Sequence, residues 1–135
     1  MGVEWTESLS IGIEAIDSQH KQLLTHFDQF LNACRSNKGI EELKVLLRFL
    51  DGYVIKHFSD EEGIQRKHLY PGYAIHKLEH ESFVARLNEL KEEIGREGVA
   101  LHHVIETNHL LLKWLIHHIS TVDVQLGKFL KSSAT

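Results

Sequence analysis

The fold is decided by residues 43–64, which read LKVLLRFLDGYVIKHFSDEEGI. The apolar residues in this stretch recur every three or four positions, a period that predicts an amphipathic α-helix. Its inward face consists of Leu43, Leu46, Leu47, Leu50, Val54, His57, Glu61 and Ile64. His57 and Glu61 are four residues apart, so they lie one helical turn apart on the same side. Two polar side chains on an otherwise apolar face are the first indication of a buried site.

Three more segments show the same helical period, and breaks at Asn37-Lys38-Gly39, Tyr70-Pro71-Gly72 and Gly95 to Gly98 separate them. No segment shows the two-residue alternation of a strand. The stripe of the fourth segment is predicted to be Leu101, Val104, Ile105, Asn108, Leu112, Leu115, His118 and Ile119. Long helices joined by short connections predict an all-α fold. We expect one domain, residues 1–135, built as an antiparallel up-down-up-down four-helix bundle with an N-terminal arm and a short C-terminal helix.

Composition excludes several classes of function. The 15 Lys and Arg against 19 Asp and Glu give a formal charge of −4, and no basic stripe predicts nucleic-acid binding. The longest apolar run, residues 110–119, is interrupted by Lys113 and is too short to span a bilayer, so no direct membrane contact is expected. The N-terminal residues lack a signal-peptide pattern, and Cys34 has no second cysteine to pair with. We therefore expect a cytoplasmic protein.

The polar residues on the four stripes form one predicted metal site. In an antiparallel bundle, the start of helices one and three and the end of helices two and four share a level. The residues predicted to converge there are His20, His57, Glu61, His76, His80, His118 and Asp123. Seven ligands are too many for a tetrahedral zinc, and five imidazoles are too many for calcium or magnesium. The set suits two transition-metal ions, with imidazoles as terminal ligands and carboxylates as bridges.

The pair His118 and Asp123 needs separate treatment, because five residues on an α-helix correspond to roughly 140° around the axis. Both side chains can reach one centre only if the helix is interrupted between them. Ser120 and Thr121 are plausible caps for such an interruption. The sequence therefore predicts that helix four ends between His118 and Thr121, and that a short helix follows to about Lys131.

The remaining polar candidates are predicted to lie outside the site. The other six histidines are expected to be structural or solvated, and they are His26, His68, His102, His103, His109 and His117. Cys34 is more than three turns from His20, so we expect it to fill core space. The run of three leucines at 110–112 is expected to belong to the core.

The predicted ligands occur in a recognisable pattern. It reads Ile16-Asp-Ser-Gln-His20, His57-Phe-Ser-Asp-Glu61, His76-x-x-x-His80, and Trp114-Leu-x-x-His118-Ile-x-x-x-Asp123. This pattern resembles the hemerythrins, and most closely the bacterial ones, over nearly the whole chain. The resemblance implies a non-haem di-iron centre, with two oxo- or hydroxo-bridged irons, that binds O₂ reversibly.

The resemblance also implies a role for each ligand. His76, His80 and His118 are assigned to one iron, and His20 and His57 to the other, which keeps an open position for O₂. Glu61 and Asp123 are assigned as bridges between the irons. The walls of the O₂ pocket, around the open iron position, are assigned to Leu23, Phe58, Trp114, Leu115 and Ile119.

Three functions are compatible with this ligand set. One is O₂ carriage or storage, and a second is O₂ sensing, because similar domains occur at the ends of bacterial chemotaxis receptors. A sensor implies a receptor signalling domain in the same polypeptide. The third is a di-iron peroxidase or nitric-oxide-handling enzyme, which ranks lowest because no acid or base stands out in the predicted pocket. We therefore expect an O₂-binding protein rather than an enzyme, with at most a weak peroxidase-type side activity.

Overall fold

The computed structural model describes residues 5–133, so the two ends of the predicted domain, residues 1–4 and 134–135, lie outside the described residues. The helices are α1 (Glu14–Arg35), α2 (Gly39–Lys67), α3 (Tyr73–Glu97), α4 (Leu101–Leu110) and α5 (Val124–Ser133), with a 3₁₀ turn at Glu7–Leu9. This part of the chain contains no strand, which confirms the all-α prediction. None of its helices combines the length and the apolar character needed to cross a bilayer.

Short turns with left-handed backbone connect the first three helices. After α1, Asn37 adopts φ 59°, and the Lys38 N–H donates to the Ala33 carbonyl at 2.8 Å. Asparagine tolerates this conformation better than most residues. After α2, Leu69 adopts φ 55°, and the Tyr70 N–H donates to the Gln65 carbonyl at 2.9 Å. Both turns fall at the breaks predicted from the sequence.

The inward face of α2 largely follows its predicted stripe, and α1 and α3 pack buried apolar residues against it. One hydrophobic cluster contains buried residues of all three helices and of the last part of the chain: Leu23, Leu24, Phe27, Phe30, Leu43, Leu46, Leu50, Val54, Phe58, Phe83, Leu87, Val104, Leu111, Leu115 and Ile119. Cys34 is partly buried and packs against this cluster, as expected for a residue that fills core space. Because the apolar residues of each inward face turn toward the core, polar residues on the same face, such as His57 and Glu61, are also buried.

The predicted stripe of α4 is partly wrong. Leu101, Ile105 and Leu112 are 65%, 51% and 48% exposed, whereas Thr107 and Leu111 are buried. This helix carries apolar residues on more than one side, so the sequence pattern did not fix which face turns inward. Only the middle leucine of the 110–112 run is fully buried, which corrects the expectation for the run as a whole.

The predicted interruption near His118 is also wrong. The chain stays helical past α4 through two π-helical segments, Leu111–Ile116 and His118–Asp123, and continues directly into α5. Ser120 does not cap a helix, because its hydroxyl donates to the Ile116 carbonyl at 2.8 Å, four residues earlier in the same helix. A π-helical turn holds more residues than an α-helical turn, so a five-residue spacing returns to nearly the same face. The wider turn therefore lets His118 and Asp123 reach one centre, which a break in the helix was expected to allow.

The N-terminal arm packs against α5. Ile11 of the arm and Ile16 of α1 form a second buried cluster with Leu126 and Leu130. A Cβ atom on Gly127 would lie 2.8 Å from the Ile11 Cα, so only glycine permits this approach. The arm thereby fixes the position of the helix that follows the second π segment.

Candidate metal centre

The structure brings all seven predicted ligands together inside the bundle. His20 comes from α1, His57 and Glu61 from α2, His76 and His80 from α3, and His118 and Asp123 from the second π segment. Each is at most 2% exposed. The starts of α1 and α3 thus meet the ends of α2 and the α4 extension, which is the arrangement an antiparallel bundle produces. The ligand atoms fall into two overlapping groups, Glu61-His76-His80-His118-Asp123 and His20-His57-Glu61.

The larger group is built around three imidazoles, and we call it the three-histidine subsite. Nε2 of His118 lies 3.1 Å from Nε2 of His76 and 3.2 Å from Nε2 of His80. Oε1 of Glu61 lies 2.7 Å from Nε2 of His76, and Oδ1 of Asp123 lies 2.9 Å from the same nitrogen. Three nitrogens and two carboxylate oxygens therefore face a common point.

The smaller group, the two-histidine subsite, uses the opposite oxygens of the same carboxylates. Nε2 of His20 lies 3.1 Å from Oδ2 of Asp123 and 3.5 Å from Oε2 of Glu61. Nε2 of His57 lies 3.6 Å from the same Glu61 oxygen. Each carboxylate therefore turns one oxygen toward each subsite, which is the geometry a bridging ligand requires.

Hydrogen bonds behind the imidazoles determine which nitrogen faces the centre. Nδ1 of His80 lies 2.8 Å from a carboxylate oxygen of Glu62, and Nδ1 of His118 lies 3.1 Å from one of Glu79. A carboxylate at this position accepts a proton, so each neutral imidazole carries its hydrogen on Nδ1. The Nε2 lone pairs then point into the centre, as metal ligands require.

These lone pairs show that a cation fits the site. When both rings are neutral and carry their protons on Nδ1, Nε2 of His80 and Nε2 of His118 lie 3.2 Å apart with no proton between them, which is repulsive. An ion about 2.1 Å from each nitrogen, with a right angle between the bonds, would space them about 3 Å apart. The carboxylate oxygens of Glu61 and Asp123 and both nitrogens of His20 are also buried without a hydrogen bond. Buried charged groups of this kind are normally paired or coordinate a metal.

Without a metal ion, the cluster takes up protons instead. Burial lowers the pKa of His20, but the carboxylates of Asp123 and Glu61, which lie 3.1 and 3.5 Å from its Nε2, outweigh burial and raise this pKa to about 10. The same carboxylates raise the pKa of His76 to about 9 against the effect of its burial. Burial dominates at His57 and lowers its pKa to about 4. The two carboxylates thus attract positive charge to the cluster, as protons on His20 and His76 or as metal ions.

The five predicted pocket residues belong to the hydrophobic core, with Trp114 partly buried at its edge. The Phe58 ring stacks on His80 with centroids 3.8 Å apart, and the Trp114 ring stacks on His118 at 4.5 Å. Phe58 is 5.7 Å from the His57 ring, in a tilted orientation. Phe58 and Trp114 therefore stack on histidines of the three-histidine subsite, and their assignment to the wall of the O₂ pocket stays a prediction.

Three polar residues around the centre were missed in the sequence. Glu62, Glu79 and Gln19 each hydrogen-bond to Nδ1 of a predicted ligand. Each is the sequence neighbour of a predicted ligand, yet each bonds a ligand from a different helix. Adjacency could have drawn attention to them, but their partners depend on how the helices face each other.

The histidines described at the other end of the bundle are poorly suited to a second metal site. His102, His103 and Glu97 lie close together, and His103 is fully buried. However, Nδ1 of His103 accepts a hydrogen bond from the Ala100 N–H at 2.9 Å. A neutral His103 therefore carries its proton on Nε2, the nitrogen that faces Glu97. Its burial confirms the expectation of a structural histidine.

Comparison with known proteins points to one family. A family model described as the hemerythrin HHE cation binding domain matches residues 11–130. Myohemerythrin of Sipunculus nudus is 29% identical over 119 residues, which cover 88% of this chain and 86% of that protein. A bacteriohemerythrin of Stenotrophomonas maltophilia is 30% identical over 119 residues, covering 88% and 75%. A bacteriohemerythrin of Methylococcus capsulatus is 26% identical over 129 residues, covering 95% and 96%.

Proposed function

This chain belongs to the hemerythrin family, whose members bind O₂ at a di-iron centre, and we propose that its seven buried ligands hold the two irons. The observation that carries the assignment is the position of Glu61 and Asp123. Each carboxylate directs one oxygen to the three-histidine subsite and the other to the two-histidine subsite. Five neutral imidazoles and two carboxylates leave a pair of divalent ions with net positive charge.

The irons, when bound, supply the O₂-binding position and the electrons for oxygenation. The protein residues control access and polarity. Leu23, Leu115 and Ile119 are each about 98% buried near the ligands, and apolar side chains at such positions exclude water and protons. The hydrogen bonds from His80 and His118 to Glu62 and Glu79 hold the imidazoles in the orientation that binding requires.

The test of this proposal combines metal analysis with oxygenation. Protein loaded with ferrous iron under anaerobic conditions should contain close to two irons per chain. It should change its absorption on mixing with O₂ and recover the original spectrum when O₂ is removed. About one iron per chain, or a spectrum that never recovers, would contradict the proposal.

A peroxidase-type activity is the weaker alternative for the same site. The carboxylates closest to the ligands, Glu62 and Glu79, already accept hydrogen bonds from imidazole Nδ1 atoms and lie behind the ligands. They are therefore poorly placed as acid or base for a bound substrate. Turnover of hydrogen peroxide with an electron donor, at a rate well above that of free ferric iron, would favour this alternative.

Carriage and sensing are two uses of the same oxygenation chemistry. We propose a cytoplasmic location for either, and a receptor signalling domain in the same polypeptide if the role is sensing. The coding sequence that adjoins this domain tests the second point directly. Cell fractionation with an antibody against the chain tests the first.

A further inference from the structure

The histidines of the two subsites have chemically different partners behind them. In the three-histidine subsite, His80 and His118 donate from Nδ1 to carboxylates, those of Glu62 and Glu79. In the two-histidine subsite, Nδ1 of His57 lies 2.6 Å from Oε1 of Gln19, a neutral amide oxygen. One imidazole in each subsite, His20 here and His76 in the three-histidine subsite, has no hydrogen-bond partner for its Nδ1 in the described part of the chain, so the contrast lies between His57 and the pair His80 and His118.

The orientation of the Gln19 amide is fixed by a charged pair on the surface. Its Nε2 donates to Oδ2 of Asp60 at 2.9 Å, and the Lys56 ammonium donates to the same oxygen at 2.8 Å. A carboxylate can only accept here, so the amide nitrogen must face Asp60 and the amide oxygen must face His57. His57 therefore donates from Nδ1 to a neutral acceptor and presents its Nε2 lone pair to the centre.

The charge of the acceptor changes the strength of the ligand. A carboxylate behind an imidazole draws on the Nδ1 proton and makes Nε2 a more basic donor to a metal ion. Charge-assisted hydrogen bonds are roughly twice as strong as neutral ones, so an amide has a smaller effect. The two subsites thus differ in the donor strength of their imidazoles as well as in their number.

We propose that Gln19 acts as a positioning residue that keeps the two-histidine subsite the weaker of the two metal sites. Metal ions then enter the three-histidine subsite first and leave the two-histidine subsite first. The weaker donor also leaves the second ion more positive and more open to an external ligand. This inference rests on the ligand set of the proposed function and adds the residue that makes the two ions inequivalent.

The test uses the whole chain and cobalt(II) as the probe. The visible absorption of cobalt(II) changes when protein ligands bind it, so uptake can be measured without O₂. Titration of metal-free protein should show two steps. The double variant Gln19→Glu/Asp60→Asn places a carboxylate behind His57 and retains an amide to orient it. It should tighten the second step about tenfold, the low end for changes of this kind. Glu62→Gln should weaken the first step by about the same factor.

Asp60→Asn alone is the matched control, because it keeps a neutral amide behind His57 and therefore should not tighten the second step. A purely structural role for Gln19 predicts a weaker second step in the double variant, whereas the proposal predicts a tighter one. A second step that weakens or stays at the control value, while Glu62→Gln weakens the first, would overturn the role of Gln19. Wild-type protein that takes up fewer than two ions would instead overturn the ligand set itself.

Discussion

The two ends of the bundle are buried to the same degree but have opposite chemistry. Toward the α1–α2 turn the core contains Phe27, Phe30, Leu43, Leu46 and Leu50, each at most 3% exposed. Toward the other end, α1 and α2 together with α3 and the second π segment bury the seven polar ligands, each at most 2% exposed. An apolar side chain of this size gains about 1.5–3 kcal/mol from burial, whereas a buried charge is costly unless it is paired. One core thus has an end that is stable by itself and an end that depends on cations.

The largest effect should come from removing a bridge. Glu61→Ala deletes a carboxylate that faces both subsites, so we expect fewer than one metal ion per chain. His20→Ala removes one of five imidazoles, and water can replace it, so it should retain more. Metal analysis after desalting measures both. Leu50→Ala, at the apolar end, is the control: it should cost about 2–5 kcal/mol in stability and still bind two ions. Equal metal content in the two ligand variants would rule out the ranking.

Metal removal should affect the two ends unequally. Without ions, the carboxylates at the site end are compensated by protonated imidazoles alone, while the apolar end keeps its packing. We expect a lower melting temperature for the metal-free protein, with faster amide hydrogen exchange in residues 57–65 and 118–123 than in the metal-bound form. Residues 43–50 should exchange at nearly the same rate in both forms. Uniform acceleration along α2 would show that the two ends unfold as one unit.

The apolar wall of the site end should control the lifetime of the oxygenated protein. Ile119 directly follows the ligand His118 and is 2% exposed. Ile119→Glu and Ile119→His admit water and offer a proton, so the oxygenated form should decay to the oxidised form at least about tenfold faster. Stopped-flow absorption with parallel metal analysis measures this, and Ile119→Leu serves as the apolar control. Unchanged decay at full metal loading would place the proton route elsewhere.

The smallest expected effect concerns the metal-free protein and pH. The folded pKa values of His20 and His76, about 10 and 9, lie above the ordinary value of 6.5. Their contribution to stability is therefore fully present below pH 6.5 and is lost as the pH rises through 9 to 10. We expect the melting temperature of the metal-free protein to fall by a few degrees between pH 6.5 and 10, and less in Glu61→Gln. A flat profile would mean that the cluster does not hold these protons.

The sequence predicted the parts of the fold that depend on periodic burial. Leu43, Leu46 and Leu50 are buried as expected because the exposed side of α2 is mostly polar, although Val45 and Ile55 also lie on it. Leu101 and Ile105 were wrongly assigned because α4 is apolar on more than one side, and only packing selects its inward face. The structure brings the seven predicted ligands together, and their binding of metal ions stays a prediction.

Two features could not be read from the sequence. Residue spacing indicated that His118 and Asp123 needed a departure from the α-helix, but it did not distinguish a capped break from a wider helical turn. The partners of Gln19, Glu62 and Glu79 depend on which helices face each other across the bundle. Other polar residues nearby in the sequence could equally have been expected to hydrogen-bond the ligands, so only the three-dimensional arrangement identifies these three.

The second π segment, just before α5, determines both the rotation of α5 about its axis and the position of the bridging carboxylate of Asp123. Relaxing the second π segment to an α-helix would shift the phase of everything after it by about one residue, or roughly 100°. That rotation would swing Asp123 away from both subsites and turn a different face of α5 toward the arm, where Gly127 leaves no room for a larger side chain. The last helix therefore cannot rotate about its axis without moving the Asp123 carboxylate.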